Sequence, residues 1–243
     1  MEHSESKLHL YKTEANISVN FLCQKMSRTK LRKFAEIKAS PIVFDPEKIR
    51  GKSWQKDIFK NSNPIHLELA CGKGKFSIQM AQNHPELNFI AIDRKGERIW
   101  HAAQNAQNLG LSNLVFFQGN INYIEKEFKT NEIDELWITF PDPFPKDKNA
   151  RQRLTHLRFL EKYKVFLKNS GTFNLKTDFK LLLEFTEQEI LKLGGKILQK
   201  ETDIYSKRQT LPEYLFYQTD FELKHLNDGK QIHYLKAILN CQT

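Results

Sequence analysis

Residues 65–76 read Ile-His-Leu-Glu-Leu-Ala-Cys-Gly-Lys-Gly-Lys-Phe, and this stretch decides the fold. Apolar side chains at Ile65, Leu67 and Leu69 alternate with other residues, which is the two-residue period of a β-strand. A turn of small residues that includes two glycines follows, and apolar residues at helical spacing come after it. This order predicts the entry to a nucleotide-binding α/β unit, because glycines allow close backbone approach and a helix start offers free N–H groups.

The spacing of the small residues separates this turn from a dinucleotide site. A dinucleotide fingerprint requires G-x-G-x-x-G after the strand, and the third glycine is missing here. Small residues instead occupy every second position, at Ala70, Gly72 and Gly74, and Glu68 lies two places before the first of them. This E-x-[GA]-x-G-x-G pattern resembles the first motif of class I S-adenosylmethionine (SAM) methyltransferases, which implies a loop around the methionine end of SAM. A strand–helix turn in another kind of α/β protein is the alternative.

The composition suits a soluble globular protein with an anionic partner. The chain has 243 residues, of which 40% are hydrophobic, and this length favours one α/β domain with embellishments. Its 38 lysines and arginines against 29 aspartates and glutamates give a formal net charge of +9. Such an excess favours nucleic acid as the first candidate partner and a membrane surface as the second. A basic enzyme with neither partner is the alternative.

Cysteine spacing and hydropathy indicate a cytoplasmic protein without a metal. Cys23, Cys71 and Cys241 lie far apart and form no C-x-x-C pair, so we expect neither a zinc site nor a disulfide framework. No apolar run is long enough to cross a membrane, and the N-terminus has no signal-peptide pattern. We therefore predict a cytoplasmic location, no membrane association and no metal.

The N-terminal quarter differs in character from the rest. We predict an N-terminal extension with a basic arm over residues 1–62 and a SAM-dependent methyltransferase domain over residues 63–243. Residues 1–25 have weak periodicity and are expected to be poorly ordered or loosely attached. Ser27–Lys38 sets basic residues around apolar ones, which indicates either an arm that touches phosphates or a solvated charged face. Prolines then mark a linker, and apolar residues around Trp54 suggest a short helix.

Strands and helices alternate regularly beyond Pro64. Further strands are predicted at Asn88–Asp93, Leu114–Phe117, Glu135–Phe140, Thr172–Thr177, Lys196–Ile204 and Gln231–Leu239. Helices are predicted between them, at 94–109, Ile121–Phe128, 153–167 and Leu181–Leu193. This alternation predicts an α/β fold with a doubly wound, mostly parallel, Rossmann-like sheet and helices on both faces.

Polar side chains recur at or near the carboxyl ends of the predicted strands, and they are Glu68, Asp93, Asn120, Asp142 and Asp178. Ligands bind beyond this edge in doubly wound sheets, so these residues predict a common site, although any one of them would also serve as a helix cap. Asp93 lies about 20 residues past the glycine turn, a spacing at which an acid accepts hydrogen bonds from both ribose hydroxyls. Asn120 suits the edge of a base, and a simple turn asparagine is the alternative.

A proline-rich loop, Phe140-Pro-Asp-Pro-Phe-Pro145, ends the fourth predicted strand. Its prolines restrict the backbone, so we expect a rigid loop, which should stand over the methyl group of a bound SAM. The loop resembles the polar residue, proline and aromatic of methyltransferases that modify amines, which implies that Asp142 holds the edge of a base and Phe144 stacks on it. A structural proline turn is the alternative. Basic residues adjoin this loop, and phosphate contact is favoured over a solvated helix start. They are Lys146, Lys148, Arg151, Arg153 and Arg158.

Several of these stretches together resemble the bacterial tRNA (guanine-N7)-methyltransferase family. The matching segments run in order from about residue 63 to the C-terminus, and they are 63–76, 88–93, 139–146, 151–155, 175–178 and 219–222. The proline loop followed by Arg-Gln-Arg-Leu-Thr is the most specific of them. The chain departs from the family pattern at Ala70, Asn120, Phe144, Asp147 and Gln152, and the last two weaken the RNA interpretation locally.

The resemblance implies roles that the patterns alone do not. SAM would be held by Glu68, Gly72, Gly74, Asp93, Asn120 and Asp142. Substrate would be bound by Lys146, Asp178, Thr219, Asp220, Phe221 and Glu222, and RNA would be contacted by Lys148, Arg151 and Arg153. Asp142 is the implied catalytic residue, because a carboxylate beside the base stabilises the positive charge that methylation creates. Asp178 is the alternative for that role.

The implied activity is transfer of the SAM methyl group to N7 of a guanosine in the variable loop of tRNA, at position 46. The implied enzyme is a monomer or homodimer with tRNA as its partner and no metal. Two alternatives remain, a SAM-dependent methyltransferase acting on another nucleic-acid or protein amine and a non-catalytic RNA-binding relative. The intact acids Glu68, Asp93 and Asp142 argue against the second.

Overall fold

The computed structural model describes residues 28–240. Strands in this range form one sheet, and they are β1 (Val43–Phe44), β2 (Ile65–Leu69), β3 (Asn88–Asp93), β4 (Leu114–Gln118), β5 (Ile133–Thr139), β6 (Leu167–Thr177), β7 (Lys196–Glu201) and β8 (His233–Ile238). Their order is β1-β4-β3-β2-β5-β6-β8-β7, and all pairings are parallel except those of β8 with β6 and β7. The predicted doubly wound, mostly parallel sheet is confirmed. Its switch point, where such folds bind ligands, lies between β2 and β5.

Two hydrophobic cores cover the two faces of the sheet. β3 and most of β4 are buried without polar alternation, which is typical of parallel strands with helices on both sides. Neighbouring residues of β4 point to opposite faces, because side chains alternate along a strand. Phe116 belongs to the core that contains Phe76 and Trp137, whereas Phe117 packs edge-on against Trp54 in the other core.

The α-helices lie on both sides of this sheet. They are α1 (Arg28–Ala39), α2 (Pro46–Ile49), α3 (Lys75–Asn83), α4 (Gly96–Asn108), α5 (Leu157–Phe166), α6 (Lys180–Lys192) and α7 (Asp220–Asn227). A π-helix spans Trp54–Phe59, and 3₁₀-helices span Ile121–Lys126, Asp147–Gln152, Tyr205–Lys207 and Glu213–Phe216. α3 and α4 cover one core, and α5 and α6 cover the other. In the described part of the chain, no helix is long and apolar enough to cross a membrane.

The helix predicted over 153–167 starts later than expected. Arg153 and His156 both have extended backbone, with ψ angles of 130° and 146°, and α5 begins only at the next residue, Leu157. His156 caps the helix, because its Nδ1 accepts a hydrogen bond from the Arg158 backbone N–H at 3.1 Å. The basic run after the proline loop is therefore a 3₁₀-helix and a turn, and its side chains do not share one α-helical face. At the other end of the sheet, β7 likewise ends at Glu201 instead of Ile204.

The described part of the N-terminal region is packed onto the sheet. α1 lies against α4, where Lys33 Nζ donates to Glu97 at 2.9 Å and Trp100 Nε1 donates to Glu36. β1 pairs in parallel with β4 and extends the sheet. Trp54 is fully buried and donates its indole N–H to the Glu127 carbonyl at 2.9 Å.

This packing bears on the predicted division after residue 62. No break in packing occurs there, because β1 and Trp54 belong to the same sheet and core as the strands that follow. The basic arm corresponds in part to α1, and its contact with phosphates stays a prediction. The expectation for residues 1–25 lies outside the described residues.

Candidate active site

The turn after β2 has an alternating left-handed backbone. Ala70, Gly72 and Gly74 have φ angles of 58°, 59° and 70°. A Cβ at Gly74 would lie 2.9 Å from Phe116 and 3.0 Å from Ala102, so glycine lets α3 start this close to the sheet. A Cβ at Gly72 would meet nothing within 4 Å, so the space on that side is open. The loop is therefore packed closely against the sheet at Gly74 and open at Gly72, so its backbone is accessible to a ligand on the open side. We call this loop, residues 70–74, the cradle.

Glu68 is buried beneath this loop, with 3% of its surface exposed. Its carboxylate accepts hydrogen bonds from the hydroxyls of Ser77 at 2.5 Å and Thr139 at 2.6 Å, one on each oxygen. Burial raises the pKa of Glu68 to about 7, and the two hydrogen bonds oppose that rise. Both oxygens are used inside the protein, so Glu68 joins β2 to α3 and β5. It acts on a ligand through the loop that it supports and not through a free carboxylate.

Asp93 ends β3 and ties the glycine loop to the next turn. Its Oδ2 accepts a hydrogen bond from the Gly72 N–H at 3.1 Å and lies 3.4 Å from Arg98 Nη1. Its Oδ1 accepts from the Lys95 N–H at 2.7 Å. Each carboxylate oxygen can accept two hydrogen bonds, so Oδ1 keeps capacity for a further donor such as a ribose hydroxyl.

Asn120 lies beside Asp93 at the edge of the cradle. The Gly119 N–H donates to the Asp93 carbonyl at 3.3 Å, which brings the two strand ends together. Asn120 Oδ1 accepts from the Asn122 N–H at 3.1 Å and so begins the 3₁₀-helix, as expected of a turn asparagine. Its NH₂ group has no partner in the described part of the chain and remains available for a ligand.

The proline-rich loop is held in an unusual conformation. Phe140 and Phe144 have positive φ angles of 48° and 42°, a region that bulky residues rarely occupy. Backbone strain of this kind is concentrated at functional sites and persists only where the surroundings enforce it. Asp142, between these two residues, is exposed, and its carboxylate has no partner within residues 28–240. The loop therefore presents an unpaired carboxylate at the carboxyl edge of β5.

Arg153 is the residue that holds this loop, so the prediction that it contacts RNA is wrong. It is 6% exposed, and its guanidinium donates to the Pro143 carbonyl at 3.1 Å and the Phe144 carbonyl at 3.0 Å. The same guanidinium lies 4.4 Å from the centre of the Phe185 ring. These contacts direct the N–H donors of the Arg153 guanidinium toward the protein and not toward an outside ligand. Of the other four basic residues beside this loop, Lys146, Lys148 and Arg151 are exposed, and their contacts to substrate or RNA stay predictions. Arg158 is partly buried and donates to the Arg151 carbonyl.

Asp178 lies at the end of β6 and is already paired. Lys230 Nζ donates to its Oδ2 at 2.7 Å, and His225 Nδ1 lies 3.5 Å from the same oxygen. The His225 ring stacks on Phe140, with centroids 6.1 Å apart. Asp178 is thus linked through His225 to Phe140, the first residue of the proline loop. Asp142 follows Phe140 by two residues, so both carboxylates are associated with this loop.

The substrate segment predicted over residues 219–222 divides into exposed and buried members. Thr219 caps α7 by accepting the Glu222 N–H at 3.1 Å, and Asp220 pairs with Lys75 at the start of α3. Phe221 is 60% exposed. Glu222 is fully buried and pairs with Lys176 Nζ at 2.9 Å, so the prediction that it binds substrate directly is wrong. Glu222 positions the segment, and Asp220 and Phe221 remain its accessible side chains.

Sequence reasoning missed Lys176 and the two hydroxyls that hold Glu68. Lys176 lies in β6 next to Leu175 and is fully buried, although lysine is almost never buried without a partner. Residues 172–177 read Thr-Phe-Asn-Leu-Lys-Thr and alternate polar with apolar side chains, so the local pattern gave no signal that Lys176 is buried. Ser77 and Thr139 carried no signal either, because their role depends on the acid beneath the loop.

The site contains no group suited to metal or thiol chemistry among the described residues. Within residues 28–240, no group of three or more His, Cys, Asp or Glu side chains could hold a metal ion. Cys71 is buried in the loop, and burial together with Glu68 and Asp93 raises the pKa of its thiol well above the ordinary value. A protonated thiol is a poor nucleophile. The groups that remain are hydrogen-bond acceptors, an unpaired carboxylate and exposed cations.

Comparison with known proteins agrees with this arrangement. Residues 62–235 match the family described as "Putative methyltransferase". The chain is 40% identical to a tRNA (guanine-N(7)-)-methyltransferase of Christiangramia forsetii, over 86% of this chain and 97% of that protein. It is 36% identical to a protein of the same name from Bacteroides fragilis, over 88% of this chain and 87% of that protein.

Solved structures show the same fold. A structure described as that of an antibiotic-related methyltransferase has a TM-score of 0.55 and 19% identity, covering 75% of this chain and 90% of that one. The 16S rRNA methyltransferase KamB has a TM-score of 0.54 and 14% identity, covering 72% and 88%. At these identities the likeness concerns the fold alone.

Proposed function

This chain belongs to the tRNA (guanine-N(7)-)-methyltransferase family, and on that basis we propose that it transfers a methyl group from SAM to N7 of a guanosine in tRNA. The finer proposal is that the guanosine lies in the variable loop. The observation that carries the proposal is Asp142, an exposed and unpaired carboxylate on a loop whose conformation is enforced by Arg153. An acceptor of this kind is what a purine with developing positive charge requires.

The cradle after β2 fits SAM. The side chains and backbone that would hold it are Gly72, with open space on one side, Asp93, with acceptor capacity left on Oδ1, and Asn120, with a free NH₂ group. Gly74 and Glu68 support the same loop from below. When bound, SAM supplies an electrophilic methyl group attached to a sulfonium. A carboxylate at Asp93 would disfavour a ligand with a phosphate on its ribose.

The chemistry asks little acid–base work of the protein. N7 of guanine carries an in-plane lone pair and no proton, so a general base is unnecessary. The contribution of the chain is to orient the base and to exclude unproductive geometries. Asp142 balances the positive charge that appears on the purine, and Asp178 would assist once its pairing with Lys230 and His225 is relaxed.

Exposed residues around the two carboxylates would contact the RNA. Lys146, Lys148 and Arg151 are exposed beside the proline loop and suit phosphates, which position the RNA without reading sequence. Phe221 is exposed at the start of α7 and suits stacking on an unpaired base. Thr219 and Asp220 lie in the same turn, where the Asp220 ion pair with Lys75 links substrate segment and cofactor loop.

A tRNA substrate and the unpaired buried thiol of Cys71 agree with a reducing compartment, so we propose the cytoplasm as the location. The choice between monomer and homodimer stays a prediction.

The direct test is incubation of the protein with labelled SAM and tRNA that lacks modifications, followed by nucleoside analysis. We expect label in 7-methylguanosine, which alkali destroys, and no label when the variable-loop guanosine is replaced by adenosine. Label in another nucleoside or in protein would support a methyltransferase with a different target. Failure to bind SAM, with tRNA binding intact, would support a non-catalytic RNA-binding relative.

A further inference from the structure

A groove lies on the face of the sheet that α5 and α6 cover, between residues 46–52 and 126–129. It has a volume of about 430 Å³, and two of the residues that line it, Ile49 and Phe128, belong to the hydrophobic core of that face. Its other lining residues include four exposed cations, Arg50, Lys52, Lys126 and Lys129. None of the residues in this groove is part of the cofactor cradle, the proline loop or the substrate segment.

The positive charge of the groove is not neutralised by the chain. Within residues 28–240, none of these four cations forms an ion pair. The nearby acid Glu132 is committed elsewhere, because one oxygen accepts from the Trp54 N–H at 3.0 Å and the other from the Lys129 N–H at 2.8 Å. Glu127 is the one acid among the residues that line the groove, where it stands against four cations. The groove therefore offers several exposed cations to an anion from outside.

Hydrogen bonds connect the neighbourhood of the groove to the basic residues beside the proline loop. Arg158 Nε donates to the Arg151 carbonyl at 2.6 Å, and Arg158 Nη2 lies 3.3 Å from Asn122 Oδ1. Asn122 belongs to the 3₁₀-helix Ile121–Lys126, whose last residue is one of the four cations. Lys126 follows Asn122 by four residues, which limits the separation of their Cα atoms to about 14 Å. Hydrogen bonds thus link Arg151 to the 121–126 segment, whose last residue lines the groove.

An exposed aromatic ring lies in the same segment. Tyr123 is 57% exposed, and Lys126 Nζ lies 5.4 Å from the centre of its ring. The backbone at Tyr123 leaves helical geometry, with φ −122° and ψ 18°. Cations that follow a phosphate backbone, with aromatic rings on which bases stack, are how proteins hold unpaired nucleic acid.

We propose that this groove binds the sugar–phosphate backbone of the RNA substrate at a point away from the methylated guanosine. The proposal rests on the proposed function for the identity of the RNA as tRNA. A lipid surface is the weaker choice, because membrane-binding faces present apolar side chains to the bilayer. Here the large apolar side chains Ile49 and Phe128 are buried, whereas the four cations are exposed.

The test compares two variants that lose the same charge. The groove variant is Arg50→Ala with Lys52→Ala and Lys129→Ala. The control variant is Lys192→Ala with Lys196→Ala and Lys200→Ala, at the end of α6 and in β7, at the opposite edge of the sheet from β1. The measurement is the dependence of the tRNA dissociation constant on salt concentration, with SAM affinity by calorimetry as a check of folding.

We expect the groove variant to bind tRNA more weakly and its log–log salt slope to fall by about 2 to 3, since each lost phosphate contact removes roughly 0.7–0.9. The control should keep the wild-type slope, and a third variant that keeps the charge, R50K/K52R/K129R, should keep most of it. SAM affinity should be unchanged in all three.

An unchanged slope in the groove variant, or an equal fall in the control, overturns the proposal. So does loss of binding to phosphatidylserine vesicles in the groove variant while its tRNA slope stays at the wild-type value. The outcome is independent of the methylation assay. A wild-type protein that labels no guanosine, yet shows the slope difference, overturns the proposed function and leaves the groove as an RNA-binding surface.

Discussion

Lys176 and Glu222 form an ion pair in which both side chains are completely buried, with Nζ 2.9 Å from the carboxylate. Lys176 Nζ also donates to the Leu215 carbonyl at 2.7 Å and the Tyr217 carbonyl at 3.2 Å. The Tyr205 hydroxyl donates to Glu222 at 3.1 Å. This buried network fastens the start of α7 to β6, two residues before Asp178. It therefore sets the position of the substrate segment relative to the proline loop.

Breaking this pair should destabilise the protein strongly. In Lys176→Met the Glu222 carboxylate stays buried without its cation, and removing one partner of a buried pair typically costs about 3–5 kcal/mol. The measurement is urea denaturation at neutral pH.

The matched test of that pair is the double variant Lys176→Met with Glu222→Gln, because glutamine keeps the capping bond at the start of α7. We expect it to recover part of the loss, since no buried charge is left unpaired. Additive losses in the double-mutant cycle would contradict the pairing.

Asp142 should act through its charge. Asp142→Asn keeps the shape and hydrogen-bonding reach of the side chain but removes the charge that balances the methylated purine. We expect the single-turnover rate to fall on the order of 100-fold or more, with SAM and tRNA affinities nearly unchanged. Glu161→Gln, which removes an exposed acid from α5, is the control and should methylate at the wild-type rate. A rate for the Asp142 variant within about twofold of wild type would transfer the role to Asp178.

The two arginines of the Arg-Gln-Arg run should have separate effects. Arg151→Ala removes an exposed cation, so the salt slope of tRNA binding should fall by roughly 0.7–0.9 with stability unchanged. Arg153→Ala removes a buried guanidinium that donates to the Pro143 and Phe144 carbonyls, and hydrogen bonds to charged groups contribute about 1.5–3 kcal/mol. We expect it to lower stability and turnover while the slope stays constant. If Arg153→Ala instead changed the slope and nothing else, its buried position would be contradicted.

Glu68 should make stability depend on pH. Its pKa is raised from 4.5 to about 7 in the folded protein, so between these values the native state binds the proton and the unfolded state does not. Stability is therefore highest below about pH 4.5, with respect to this group, and falls as pH rises to about 7. Glu68→Gln keeps an acceptor for Ser77 or Thr139 and cannot ionise, so it should flatten this part of the pH–stability curve. Equal slopes for the two proteins between pH 5 and 7 would contradict the assignment.

The order of elements was predictable from local pattern. Alternation at Ile65, Leu67 and Leu69, and the apolar run that ends at Asp93, each reflect burial of one strand, which a short window of sequence records. A common site for the polar residues at the strand ends was predictable from the same local pattern, because a parallel sheet brings all its carboxyl ends to one edge. The motifs that resemble the methyltransferase family also lie in single short segments. These features needed no knowledge of which distant residues meet.

The orientation of individual charged side chains was decided only by the tertiary structure. Arg151 and Arg153 differ by two positions, yet one is exposed and the other is buried against the proline loop. Glu222 turns inward because Lys176, 46 residues earlier in the chain, lies opposite it. Glu68 likewise turns under its loop because Thr139, 71 residues later, supplies a donor. A charge is buried only where a partner offsets its desolvation, and local sequence does not record partners that long-range packing brings together.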